Sequence, residues 1–203
     1  MDLLENYKKA WDNQSEETNN VSSADIYKMA HSRSSSIVKW IFIIGILEFI
    51  VLNSMYFFVD TEQAYFEYKK MGLENFVFYS QYIAYAFIFY FLAMFYLNYI
   101  RISAIDSTKV LMKKILKTRK TVRNYVLFNF AYITILMIIV TIASINTNFD
   151  HLNMKQIILL FLMMFVVLLL ILGVLFLFYQ LLYGILLRKL KRNYKELAKL
   201  DGN

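Results

Sequence analysis

Apolar residues in this chain gather into four long runs separated by polar stretches. The runs lie at about 37–59, 76–100, 125–145 and 156–187. A helix rises ~1.5 Å per residue, so roughly 20 apolar residues cover the ~30 Å of hydrocarbon in a bilayer, and each run meets that length. The fourth carries no charge from Gln156 to Leu187, roughly 48 Å of helix, so it either tilts or projects its last turns beyond the membrane. Proline is absent, and the only glycines in or near the runs are Gly45, Gly173 and Gly184. Broken helices normally show Gly or Pro interruptions, so continuous helices are expected, packed through large side chains rather than tight small-residue crossings. The pattern predicts an all-α integral membrane protein: four transmembrane helices in an antiparallel bundle, with short amphipathic helices on the cytoplasmic side.

The flanks are polar. In residues 1–36, Leu3, Leu4, Tyr7 and Trp11 share a helical face, Asn13 to Ser22 reads as a linker, and a second short helix is expected from Ser23, with Asp25 near its N-terminus and Ile26, Met29 and Ala30 on one side. This segment is expected to be a cytoplasmic tail touching the membrane surface. It has no apolar h-region or small-residue cleavage site, so the first run is expected to serve as its own insertion signal. Residues 188–203 continue the fourth run as a basic amphipathic helix through Arg188, Lys189, Lys191, Arg192, Tyr194 and Leu197.

Composition sharpens the class. Apolar residues make up 59% of the chain, against roughly 45 to 50% in soluble domains, an excess that lipid rather than a protein core would cover. The net charge of +7 would suggest a nucleic-acid partner in a soluble protein. Here the charge flanks the runs, which favours anionic lipid headgroups and control of topology instead, and no nucleic-acid partner is expected. In the loop 101–124, Arg101, Lys109, Lys113, Lys114, Lys117, Arg119, Lys120 and Arg123 face one acid, Asp106. Between the first two runs, Lys69 and Lys70 face Asp60, Glu62, Glu67 and Glu74. The positive-inside tendency therefore puts the basic loop and both termini in the cytoplasm of a bacterium, with the protein multi-pass in the inner membrane.

Candidate chemistry is sparse. There is no cysteine, and His31 and His151 fall on opposite sides of the membrane, so no metal site or other cofactor is expected. Glu48 is the one ionisable residue near the middle of the first run, where a carboxylate costs ~2.5 to 3.5 kcal/mol on insertion scales. It reads as a protonated acid hydrogen-bonded inside the bundle. The alternatives are a proton or cation pathway and a contact between subunits. Counting inward from the run ends puts Tyr85, Tyr90 and Thr134 at its depth as candidate partners and leaves only apolar residues there on the fourth run. Ile41, Gly45, Glu48, Leu52, Met55 and Val59 share one seam of the first helix.

In the second run, Phe78, Tyr82, Tyr85, Phe89, Leu92, Tyr96 and Tyr99 alternate steps of four and three on one seam. That is a packing seam whose phenols find partners, or else a groove for a quinone, carotenoid or lipid tail. Asn53, Gln81, Asn98, Asn129 and Gln180 do not converge by sequence position, which suits scattered interhelical hydrogen bonds better than a channel lining. From Ser107 to Arg123, Leu111, Met112, Ile115, Leu116 and Val122 fall on one arc of a helical wheel, with Lys109, Lys113, Lys114, Lys117 and Lys120 opposite. This pattern predicts a helix lying in the headgroup layer, its lysines contacting lipid headgroups.

Three segments, SSSIVKWIFIIGILEF at Ser34 to Phe49, MKKILKTRKTVRNY at Met112 to Tyr125 and YGILLRKLKRNYKELAKL at Tyr183 to Leu200, resemble a family of uncharacterised small four-helix membrane proteins of flavobacteria and their relatives. The resemblance spans nearly the whole chain, and its motifs are anchors and flanks rather than chemistry. Some members carry a beta-carotene monooxygenase label. Soluble carotenoid-cleavage oxygenases hold iron with four histidines on a β-propeller, whereas this chain has two histidines and no strand pattern, so the resemblance implies kinship without that activity.

No segment carries a catalytic, nucleotide-binding or metal-binding constellation, and an enzyme is not expected. The leading expectation is a non-enzymatic inner-membrane subunit, scaffold or regulator that associates with protein, lipid or a second copy of itself. A small proton- or ion-coupled transporter or channel using Glu48 is the alternative. An enzyme or binder for a lipid or carotenoid comes last.

Overall fold

Ser22 starts the first helix: its hydroxyl accepts the Asp25 backbone N–H at 3.2 Å, satisfying one of the donors a helix N-terminus leaves open. The computed structural model describes residues 22–103, 107–148 and 152–201, and no strand occurs among them. The expected face of Leu3, Leu4, Tyr7 and Trp11 lies outside the described residues. Helix α1 runs Ser23–Ser54 and closes in a 3-10 turn at Met55–Phe57. Then come α2 (Thr61–Lys70), α3 (Glu74–Ser103), α4 (Thr108–Asn148) and α5 (Met154–Tyr179). A π-helical segment, Gln180–Gly184, joins α5 to α6 (Ile185–Asp201).

Four of these stretches are long and apolar enough to cross a membrane. Their ends differ from the expected ones in an informative way. The stretch from Ser23 to Ser36 is not a separate short helix in a tail; it is nearly the first half of α1. The serines that lead into the apolar run are held inside the bundle, where Ser34 is buried and its hydroxyl accepts from Asn193 Nδ2 at 3.1 Å. Ser35 and Ser103 share a hydrogen bond of 2.9 Å between α1 and α3.

The segment after Ser107 corrects the sequence expectation likewise. It is no separate helix; it continues without a break into α4, 41 residues long. Its apolar arc is covered by protein, for Leu111, Ile115 and Val122 are fully buried. A helical wheel shows that one face needs cover but not whether lipid or another helix supplies it.

Helix α2 was not anticipated. Asp60 caps it by accepting the backbone N–H groups of Glu62 and Gln63, Lys69 and Lys70 close its last turn, and Gly72 at φ +68° ends it in the left-handed conformation that favours glycine.

The core sits toward the basic end of the bundle, where the start of α1 meets the end of α3, the start of α4 and α6. Ala30, Val38, Ile102, Leu111, Ile115, Leu190 and Leu197 form one buried cluster there. A second follows it along the helices: Ile41, Phe91, Phe95, Val122, Tyr125, Tyr179 and Tyr183. Gly45 lets α3 approach, since a Cβ there would stand 3.1 Å from Leu92 and 3.2 Å from Phe95. Past this level protein cover thins. None of the most apolar 18-residue window of α4, nor of the helix formed by α5 and its continuation, is buried.

Candidate functional site

Glu48 lies on the covered face of α1, one turn beyond Gly45, and is 4% exposed. Its two carboxylate oxygens take one phenol each: Tyr179 donates to Oε1 at 2.7 Å and Tyr183 to Oε2 at 2.9 Å. The donors are four residues apart, Tyr179 just before the π segment and Tyr183 within it, and their rings lie 6.0 Å apart and nearly parallel. Tyr125 of α4 stands edge-on to both, at 6.2 Å and 6.0 Å. Phe95 packs edge-on to Tyr125 at 5.4 Å and closes the cluster from α3. No ion pair reaches Glu48 among the described residues. A phenol both donates and accepts, so this pair satisfies an ionised carboxylate with two donated bonds, or a protonated one with one donated and one accepted. The same heavy-atom arrangement therefore hydrogen-bonds the carboxyl in either protonation state.

The expected partners of Glu48 are corrected. Tyr85 donates instead to Asn53 Oδ1 at 2.8 Å, Tyr90 is 56% exposed, and Thr134 bonds the carbonyl of Phe130 in its own helix. The fourth run, expected to offer only apolar groups, provides both donors. Tyr125, Tyr179 and Tyr183 went unrecognised, although the Tyr179/Tyr183 spacing of one helical turn, followed at once by Gly184, was a usable signal.

Two cavities lie on either side of this cluster. Toward the basic end, about 420 Å³ opens between α4 and the junction of α5 with α6. Its mouth carries Arg119, Lys120 and Arg123, its floor is Tyr179 and Tyr183, and no acid lines it. Gln180 folds over Gly184 at its edge, where a Cβ would come within 2.6 Å of the Gln180 amide oxygen. The other cavity, about 370 Å³, lies between α1, α3 and α4. There Gln81 donates to the hydroxyls of Tyr56 and Tyr85 at 3.2 and 3.4 Å, Tyr85 donates to Asn53, and Asn129 and Tyr132 complete the lining. Asn53, Gln81 and Asn129, expected to be scattered, thus converge on one space. Asn98 is separate and donates to Thr121 at 3.2 Å.

The aromatic seam of the second run forms the rim of the α1 contact rather than its centre. Phe89 meets Phe49 and Tyr96 meets Phe42, both at 5.4 Å, while Phe78, Tyr82, Phe89 and Tyr96 remain largely exposed. The buried line of α3 is Phe91, Phe95, Asn98 and Ile102. Tyr85, Leu92 and Tyr99 are half-buried between the two. On α1 only Ile41, Gly45 and Glu48 of the expected seam are buried, whereas Leu52, Met55 and Val59 are exposed. Of the loop lysines, Lys109, Lys113, Lys117 and Lys120 are exposed and Lys114 reaches back to the carbonyl of Arg101. No group of His, Asp and Glu able to hold a metal ion occurs among the described residues.

Fold and site together define an all-α protein with four helices of membrane-crossing length around one buried carboxylate. Residues 24–202 match the family described as Domain of unknown function (DUF8845), and the chain belongs to that family. No curated protein and no solved structure matches it.

Proposed function

We propose that this is a multi-pass protein of a bacterial inner membrane that acts without catalysis, as a subunit, scaffold or regulator associating with protein or lipid. Its four long helices form an antiparallel bundle with both termini and the basic end in the cytoplasm. The supporting observation is the contrast along the bundle: α1, α3, α4 and α6 pack into a fully buried core at the basic end, whereas the most apolar windows of the last two long helices bury nothing. Such a molecule presents a firm lysine-rich platform on one side and a hydrocarbon-facing surface on the other. Purification from native membranes, with co-purifying proteins and lipids identified by mass spectrometry, tests this reading. A protein partner in fixed ratio supports a subunit or scaffold, and a chain recovered alone from every detergent tried, with neither protein nor retained lipid, counts against it.

A second reading, proton or ion coupling through Glu48, is favoured by the two cavities that flank the tyrosine cluster. A Glu48→Gln protein that assembles normally in liposomes but loses a proton flux carried by the wild type would decide for it.

A further inference from the structure

The cavity at the basic end has an ordered lining. Arg119 and Arg123 are one helical turn apart on α4 and face the same way, with Lys120 beside them. Deeper along the groove the walls are Val126 and Phe176. No carboxylate in the lining offsets the three cations, and like charges held this close repel unless an anion joins them. Arg119 Nε is also buried with no hydrogen-bond partner, and an unmet buried donor costs about 1 to 3 kcal/mol. The mouth of the cavity thus carries three cations and no counter-charge.

Position says what kind of anion. The third apolar run begins at Tyr125, two residues past Arg123, so the cations stand where that run gives way to polar sequence and the apolar walls continue into it. Phe176 belongs to the fourth run and is more than half exposed on its outer side. Charge first and hydrocarbon further in is the order of groups in a phospholipid. Free phosphate would leave the apolar wall uncovered, and an acidic peptide would have to enter beside lipid-facing Phe176. The volume, about 420 Å³, falls within the ~300 to 1,000 Å³ of small-molecule sites and accommodates a headgroup with the first part of a chain.

We propose that this cavity binds one anionic phospholipid, its phosphate held by Arg119, Lys120 and Arg123 and an acyl chain laid along Val126 and Phe176. Arginine pairs with phosphate through two parallel N–H donors, which suits Arg119 and Arg123 as the primary contacts. The site rests on reading the four helices as membrane-spanning but not on their orientation or on any protein partner.

Alkaline carbonate extraction of expressing membranes separates the two. A protein released as soluble overturns the membrane reading and the lipid site with it, and one that stays in the membrane carries the site to its own test. That test is native mass spectrometry of the purified chain with phosphatidylglycerol, with phosphatidylcholine of the same acyl chains, and with glycerol phosphate as a headgroup-only probe. Phosphatidylglycerol is expected to bind at least ten-fold tighter than phosphatidylcholine. Arg119→Gln or Arg123→Gln should each weaken it roughly ten-fold, as loss of one charge-assisted pair does. Val126→Trp, which fills the apolar wall, should weaken both lipids. Lys195→Gln with Lys199→Gln, exposed on α6, should leave binding within about two-fold. Should Arg119→Gln fail to fold by its melting curve, solvent-exposed Arg123→Gln carries the comparison. Equal affinity for the two lipids, an equal loss in the α6 variant, or competition by glycerol phosphate at lipid-like concentrations would overturn the proposal.

Discussion

The Tyr183 hydroxyl donates to Glu48 Oε2 across 2.9 Å, tying the π segment of the fourth long helix to the centre of the first. Removing that hydroxyl leaves a buried carboxylate oxygen without its donor. Tyr183→Phe is expected to cost about 1 to 2 kcal/mol, between the usual value for a bond to a carboxylate and the smaller average found in membrane proteins. Tyr179→Phe should behave alike, and Tyr90→Phe should change nothing, as read from thermal denaturation in detergent. A larger loss at Tyr90 would mean that the partners of Glu48 are wrongly placed.

Substitution of Glu48 itself separates structure from transport. Glu48→Gln keeps the shape and leaves an oxygen and an N–H for the two phenols, so expression and oligomeric state should match the wild type in size-exclusion profiles. Glu48→Lys places a third set of donors against two phenols in a site with no acid to receive it, and the protein should fail to accumulate in membranes. Normal accumulation of the lysine variant would argue that the site is wetter and looser than its burial implies.

Gly45 offers a packing test. A β-branched side chain there drives into Leu92 and Phe95, and overpacking of this kind costs about 1 to 3 kcal/mol. Gly45→Val should lower the melting temperature, and adding Phe95→Leu should recover part of the loss. Additive losses in the double variant would show that α1 and α3 do not meet there.

The position of the core is testable with two leucines of one continuous helix. Leu190 is fully buried whereas Leu170 is 64% exposed. Leu190→Ala should cost about 2 to 5 kcal/mol and Leu170→Ala only a small fraction of that, since its neighbours are lipid or detergent. The reverse order would move the core to the middle of the apolar run.

Orientation can be read with single thiols, because the chain has no cysteine of its own. Glu62→Cys should react with an impermeant maleimide added to intact cells, and Ser107→Cys only after the membrane is opened. Labelling of Ser107→Cys from outside reverses the proposed topology.

The four long helices were legible because the length of an apolar run is a strong constraint. Glu48 was legible because a carboxylate in such a run needs a reason. Its partners were not. Levels were matched by counting from run ends, but Gln156 to Tyr179 already spans roughly 35 Å of helix, more than one hydrocarbon thickness. The surplus of the fourth run lies toward its basic end, which brings Tyr179 and Tyr183 to Glu48. In α3, residues are apolar all round, so Phe91 and Phe95 could not be told from Phe89 and Tyr96 by periodicity. The Ser107 to Arg123 amphipathicity shows that one face needs cover, but its period does not say that other helices supply it. The caps of α2 were present in the sequence, but Asp60 enters the sequence reading only as part of a charge balance and Gly72 does not enter it at all.

Because α4 passes without a joint from its basic segment into its apolar one, it works as a lever. Thr108 to Arg123 is an arm of roughly 24 Å, so a change of about 10° in the inclination of the apolar part sweeps the far tip sideways by about 4 Å. A hinged loop would absorb that change. This rod does not, and because Leu111 and Ile115 on its arm are locked into the core, its apolar part cannot change inclination unless the packed basic end moves with it.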